Sequence, residues 1–222
     1  MPLVDSNDPA LWTGGEGSLY KQYRADGYGP VGFERSVKDR ILGNDIDNLI
    51  AALVTKGLVP GQRIGLIGAG FGWEAERMVE LGYGPMADGT INGKLCNVDT
   101  STWIQANKNL HATTTVIDAD VNAATGRRTI RQQFGSNNAE VHWAISLDIL
   151  PILIGPGPSP SGNNEIVPFC QSLRALASVG VAHWVSVGTA SGDPRLNWKT
   201  LEEWKAWVTP DFVIQRGTAT VL

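Results

Sequence analysis

The stretch RIGLIGAGFGWEAERMVELG, Arg63 to Gly82, constrains this chain more than any other. An apolar run from Arg63 to Ile67 enters three glycines spaced two apart, and a helical pattern follows whose C-terminal signal is Gly82. Only residues without a bulky Cβ let the backbone approach a neighbour or a ligand at such a turn. A strand that passes through a glycine loop into a helix belongs to alternating α/β architecture, with crossover connections and a mostly parallel sheet.

The rest of the chain repeats that alternation. A second strand, Lys94 to Val98, ends at Asp99 and precedes the helix-like STWIQANKNL; a third, Thr114 to Ile117, ends in Asp118, Ala119 and Asp120. After RRTIRQQFG comes a fourth strand, Val141 to Leu147, ending at Asp148. The loop GPGPSPSGNN, a helix through PFCQSLRALASVG, a fifth strand at HWVSVG and a helix at TLEEWKAWV lead to two closing strands near FVIQRG and TATVL. The last two are too closely joined for a crossover, so one of them should run antiparallel. Gly82 to Lys94 is turn-rich and is expected to be an insertion or a surface loop. Upstream, Val37, Ile41, Ile46, Leu49, Ile50 and Leu53 predict one or two helices before Gly57, while the first 30 residues read as an irregular arm. The expected division is therefore an N-terminal arm with helices, 1–56, and an α/β domain, 57–222.

Composition narrows the function classes. At 222 residues with 42% hydrophobic and 18% charged side chains, the chain can bury one sizeable core. A net charge of -4 and a pI near 5.4 disfavour a nucleic-acid partner, because that affinity rests on many Lys and Arg contacts. The small cluster Arg127, Arg128 and Arg131 is read as a solvated surface. No apolar run reaches the roughly 20 residues of a membrane span, and the start lacks a secretory pattern, so a cytoplasmic protein is expected. Cys96 and Cys170 are too few for a disulfide framework and lack the clustered spacing of a zinc site, so no metal is expected.

The glycine loop itself discriminates among ligands. A nicotinamide-dinucleotide site requires a small residue where this chain has Trp73, and the Lys-Ser/Thr pair of a phosphate-binding P-loop is missing. A glycine turn without a ligand is the remaining alternative.

RIGLIGAGFG, then CNVDTSTWIQ, then VIDADV, then WAISLDILP resembles the ordered motif series of class I S-adenosylmethionine-dependent methyltransferases, from about Val59 to the C-terminus. That resemblance implies a Rossmann-like, seven-stranded, mostly parallel sheet of order 3-2-1-4-5-7-6 with strand 7 antiparallel, and S-adenosyl-L-methionine as cofactor. It implies that Gly68, Ala69, Gly70 and Gly72 wrap the methionine and ribose portion and that Asp99 accepts the ribose hydroxyls. A carboxylate suits that role chemically, although Asp99 as the N-cap of the next helix stays open. Asp118 or Asp120, with Ala119 between them, resembles the acid near the adenine amino group, and strand alternation puts both on one face. Thr100 and Ser101 would close over the adenine edge, and Leu147 and Asp148 would lie at the reactive end.

Two features depart from the family. The acid that usually stands two positions before the first glycine is here Leu66, so another carboxylate must replace it, with Glu16, Asp148 and Glu74 as candidates. The separation of Gly70 from Asp99 is also longer than usual, which the Gly82 to Lys94 loop can absorb.

Methyl transfer from a sulfonium mainly requires positioning and water exclusion, with a base where the acceptor carries a proton. Asp148 is the first candidate base, since ligands of open parallel sheets bind at the C-terminal strand ends. His142, deeper in the same strand, and His183, placed at the start of strand 5 toward the opposite edge, read as structural. His111 closes a helix. Trp12, Tyr20, Tyr23 and Tyr28 supply either an aromatic wall for the cofactor or packing for the arm; Trp204 and Trp207 read as one helix face against the sheet. Asp148-Ile149-Leu150-Pro151 stands where amino-methylating DNA enzymes carry an Asp/Asn-Pro-Pro-aromatic motif. The expected activity is methyl transfer to a small molecule or an exposed protein or peptide group. The alternatives are noncatalytic binding of the same cofactor, its cleavage, or aminopropyl transfer; oligomeric state leaves no trace.

Overall fold

The structure, a computed structural model, describes residues 45–70, 72–100, 104–105, 114–153, 164–187 and 199–222. Its element order is α1 (Ile46–Thr55), β1 (Ile64–Ile67), α2 (Trp73–Met78), β2 (Leu95–Val98), β3 (Val116–Ile117), α3 (Ala124–Gln133), β4 (Val141–Leu147), α4 (Ile166–Leu176), β5 (Ala177–Val185), α5 (Leu201–Val208) and β6 (Phe212–Gln215). The expected N-terminal arm, with Glu16 and its aromatics, and His111 lie outside the described residues.

Six parallel strands form one sheet of order β3-β2-β1-β4-β5-β6. This corrects the seven-stranded order 3-2-1-4-5-7-6. The terminal Thr220 to Leu222 segment does run antiparallel, but against β6: Val213 N donates to Leu222 O at 3.1 Å and Gln215 N to Thr220 O at 3.0 Å. β6 itself occupies the place beside β5, with His183 opposite Val213. A tight turn after Arg216 carries the chain back along the outer side of the strand it has just left, where a β-hairpin closes without a crossover.

The two sheet faces bury separate cores. Ile67, Val98, Ala144, Val181 and Val213 pack against α3, α4 and α5 through Ile130, Phe134, Phe169, Leu173 and Trp204. Leu66, Trp143, Ile145, Trp184 and Ile214 pack against Leu49 and Leu53 of α1 and Ala75 and Met78 of α2. The strands of β1 and β2 are buried at every position, as a sheet covered on both faces requires. Burying each such large side chain contributes about 1.5–3 kcal/mol. Trp204 is in the core and Trp207 packs edge-on against it at 5.6 Å, the helix face that their spacing predicts. No helix among the described residues is long and apolar enough to cross a membrane.

Strand β5 begins six residues earlier than HWVSVG. Ala177 to Gly180 continue straight from α4 into the ladder, where Ala177 pairs with Val141 and Gly180 with Trp143. The helix expected through ASVG stops at Leu176, because Val179 and Gly180 are weak helix formers and pairing with β4 captures the segment; the Trp143 ring covers Gly180 so closely that a Cβ there would sit 2.6 Å from it. His183 therefore lies in the C-terminal half of β5, fully buried, instead of at its start.

Two of the three clustered arginines are committed internally. Arg131 donates to the final α4 carbonyls, Ala175 at 2.7 Å and Leu176 at 3.4 Å, and Arg127 to Val121 O at 2.7 Å and Asn122 O at 2.9 Å. They satisfy carbonyls that helix ends and turns leave open, so the solvated-surface reading survives only for Arg128. The turn-rich Gly82 to Lys94 segment is pinned by Ala87 N to Leu95 O at 2.7 Å and Gly89 N to Gln133 O at 2.9 Å. It precedes β2 and so sits at the N-terminal edge of the sheet, away from the glycine loop.

Gly126, in the first turn of α3, offers a test of sign. Helix propensity alone favours alanine there by about 0.5–1 kcal/mol. A Cβ at this position would overlap the backbone carbonyl of Asp120, which cannot swing aside. Gly126→Ala is thus expected to lose on the order of 1–3 kcal/mol in urea unfolding; a stabilised variant would show that the contact has slack.

Candidate functional site

Because the strands are parallel, their C-terminal ends share one edge. The strand order reverses between β1 and β4, and the crevice above such a reversal is where open α/β sheets bind ligands. Gly68-Ala69-Gly70 leaves β1 at this place. Gly68, Gly70 and Gly72 all hold positive φ, at 76°, 53° and 85°. A Cβ on Gly68 would strike Ile149 at 2.6 Å, and one on Gly72 would collide with the Thr114 and Asn97 side chains; at Gly70 nothing among the described residues lies within 4 Å. Among the described residues the loop is thus packed at both ends and open in the middle.

Its backbone is hydrogen-bonded within the protein. Gly68 N and Ala69 N donate to Val98 O at 2.8 and 3.2 Å, and Gly72 N donates to Ala69 O at 2.8 Å. Gly70 N donates to Asp99 Oδ2 at 2.9 Å, across a sequence separation of 29 residues. A phosphate cradle needs such N–H groups turned to the ligand. Here four of them are engaged, so a ligand meets this loop through shape and side chains.

Asp99 is buried and held on every side: its N–H donates to Ile117 O at 3.1 Å and its carbonyl accepts from Gln105 Nε2 at 2.6 Å. The capping alternative for Asp99 involves residues 101–103, which lie outside the described residues, as does Ser101. Thr100 is exposed beside it. Asp118 and Asp120 are both exposed, with Ala119 buried between them. Asp120 Oδ1 accepts from Asn122 N at 2.9 Å and so shapes the turn into α3, whereas Asp118 directly follows β3. Leu147 is buried, and its carbonyl faces Gly68.

Asp148 adopts φ 54°, a left-handed conformation that costs a non-glycine residue about 1–3 kcal/mol. Three hydrogen bonds hold it there. Ser186 N donates to Oδ1 at 2.7 Å, and Ser186 Oγ and Arg216 Nη1 donate to Oδ2 at 2.8 and 2.9 Å. Arg216 also stacks over Trp184 at 5.1 Å and reaches Asp45 at 4.0 Å. Both Asp148 oxygens are thereby engaged, one of them by a guanidinium.

Glu74, in the first turn of α2, is the side chain here whose protonation is most altered. Burial pushes its carboxyl from 4.5 up to about 7, with the charges of Asp148 and Asp99 adding to the rise and Arg216 opposing it. Glu74, Asp148, Asp99 and Arg216 are thus close enough to interact electrostatically. Leu66, by contrast, is fully buried in the core beneath. No local pattern in the sequence points to Ser186 or Arg216, since each acts through a contact with Asp148 made across the fold.

His142 accepts a hydrogen bond from Arg63 N at 2.9 Å and belongs to the sheet's N-terminal edge. Of the loop from Gly155 to Asn164, only Asn164 is among the described residues. It accepts from Val167 N at 3.3 Å at the start of α4.

No family model, no curated protein and no solved structure matches this chain.

Glu74 generates a pH prediction. Its folded-state value lies above its ordinary one, so the folded protein holds a proton that the unfolded chain releases between about pH 4.5 and 7. Stability therefore falls as pH rises through that window and levels off above it. Melting temperatures measured across the window should show a shallower decline in Glu74→Gln; parallel curves would refute the assignment.

Proposed function

We propose that this chain binds S-adenosylmethionine at the C-terminal edge of its sheet and transfers the methyl group to a small molecule or an exposed protein or peptide group, as class I methyltransferases do. One observation carries the reading: Gly70 of the glycine loop and Asp99 at the end of the neighbouring strand meet through a 2.9 Å hydrogen bond. A nucleoside lying over Gly70 would have the Asp99 carboxylate at hand for its ribose hydroxyls, and a carboxylate can accept more than one donor.

The residues fit such a ligand in two further respects. Among the described residues the space at Gly70 is open to a flat or bulky group, and the engaged loop N–H groups suit a cofactor without phosphates. Glu74, Asp148 and Asp99 lend the crevice a negative balance that favours a sulfonium and an ammonium. Glu74 thereby takes the place of the acid missing at Leu66.

The bound cofactor would supply an activated methyl group. The protein's own part is to orient it, through the loop and Asp99, and to exclude water. Where the acceptor must lose a proton, Asp148 at the end of β4 is the candidate base, with both its oxygens engaged by Ser186 and Arg216. That same saturation of Asp148 favours the second reading, a protein that binds the cofactor without catalysis.

Calorimetric titration with S-adenosylmethionine and S-adenosylhomocysteine tests the proposal. Binding to the unaltered protein is expected, with Asp99→Ala weakening it about 10- to 100-fold, as losing hydrogen bonds to a charged group should. Asp99→Asn, which keeps an acceptor for Gly70 N, separates loss of charge from loss of loop structure. No binding at millimolar ligand would end the reading, and binding without product in an acceptor screen would favour the second.

A further inference from the structure

Between the sheet and helices α4 and α5 lies a polar group that the crevice does not use. Ser146 on β4, His183 on β5, Cys170 on α4 and Asp211 just before β6 are all buried. Ser146 and His183 are register partners on adjacent strands, and Ser146 Oγ lies 2.7 Å from the imidazole Nδ1. The other ring nitrogen, Nε2, faces Asp211 Oδ2 at 3.1 Å and Cys170 Sγ at 3.6 Å. Arg174 grips the Asp211 carboxylate, Nε to Oδ1 at 2.7 Å and Nη2 to Oδ2 at 3.0 Å.

We propose that Cys170, His183 and Asp211 form a three-donor binding site for a zinc-class divalent ion. Sulfur, imidazole nitrogen and carboxylate oxygen together are the donor set of a borderline-soft metal. The spacing agrees. A tetrahedral zinc with bonds of about 2.0–2.3 Å holds its ligand atoms roughly 3.3–3.6 Å apart. The three donor atoms here lie within 4.8 Å of one another, and the two separations from Nε2, 3.1 and 3.6 Å, are already near those edges.

The surroundings match as well. A metal-bound imidazole is oriented by a partner on its other nitrogen and a metal-bound carboxylate by a donor on its other oxygen. Ser146 stands in the first position, and Arg174 supplies the second through Nε on Oδ1 while its Nη2 shares Oδ2 with the ion. On binding, the Cys170 proton passes to the buffer; thiolate and carboxylate then offset the dication, and Arg174 on Asp211 leaves the group with one net positive charge. Without an ion, the contacts are self-consistent only if Nε2 carries the proton toward Asp211 and the Ser146 hydroxyl donates to Nδ1. With an ion, Nδ1–H donates to Ser146. The imidazole tautomer therefore reports the state of the site. Separations of 13 and 28 residues from His183 hide the trio from any short metal motif.

The experiment uses untagged full-length protein stripped with a chelator and titrated with Co²⁺ alone, then with Zn²⁺ as competitor. One ion per chain is expected, with a thiolate-to-cobalt charge-transfer band that Cys170→Ser abolishes and Cys96→Ser retains. Should Cys170→Ser fail to fold, alkylation of the unaltered protein, read by mass spectrometry, decides: Zn²⁺ should slow modification of Cys170 at least tenfold more than that of Cys96. Cobalt binding without the thiolate band, a band retained in Cys170→Ser, or zinc that protects neither cysteine would overturn the proposal.

Discussion

The candidate site exists because the glycine loop is tied to the end of β2 by its own backbone. Val98 O takes two of its N–H groups and Asp99 Oδ2 takes a third. Positive φ at Gly68, Gly70 and Gly72 is what aims those donors at the neighbouring strand instead of outward. A loop so engaged is rigid, and it has few donors left for a ligand. Recognition then falls to the side chains around it, which is why the charge balance of Asp99, Asp148, Glu74 and Arg216 carries more weight than the glycine pattern alone.

Arg216 links the last strand to this crevice. It belongs to the turn after β6, two strands away from β4, yet it supplies one of the three hydrogen bonds that hold Asp148 in a strained conformation. The strain of about 1–3 kcal/mol is offset by those bonds, each of which, made to a charged group, is worth about 1.5–3 kcal/mol. The Asp45 contact and the stacking on Trp184 fix the guanidinium from its other sides. The position of the final strand beside β5 is thus felt at the switch point of the sheet.

Much of the architecture was legible in the sequence because it is local. The β4 boundaries, Val141 to Leu147, and the glycine loop between β1 and α2 follow from apolar runs and punctuation over a few residues. The helix expected at TLEEWKAWV is α5, and the structure shows it capped by Thr200 and Glu203, whose side chains each bond the other's backbone N–H at 3.2 and 2.8 Å. The errors have one physical origin. Val179 and Gly180 weaken a helix without specifying a strand, and the ladder with β4 makes ASVG one; TATVL has no local feature that chooses the outer side of β6 over the gap beside β5. Arg131 capping α4 and Arg216 holding Asp148 are likewise contacts over 44 and 68 residues, for which periodicity carries no signal.

The pairing of β4 with β5 underlies both polar clusters. Ser146 stands opposite His183, and two residues further on Asp148 receives the N–H and hydroxyl of Ser186. Side chains alternate along a strand, so a slip of one residue would turn Ser146 toward Trp184 and leave His183 without its partner. Burying a histidine, a thiol and an aspartate together costs several kcal/mol in desolvation, and an apolar trio of the same volume would often serve the fold as well. Burial holds the imidazole below its usual range and pushes the Cys170 thiol up to about 12, so neither group is charged at neutral pH. Arg174 then compensates Asp211 alone, and the neighbouring imidazole and thiol add little to that balance. A cation between them would convert both from passengers of the core into ligands, and the register that sets the crevice would at the same time have preassembled its cage.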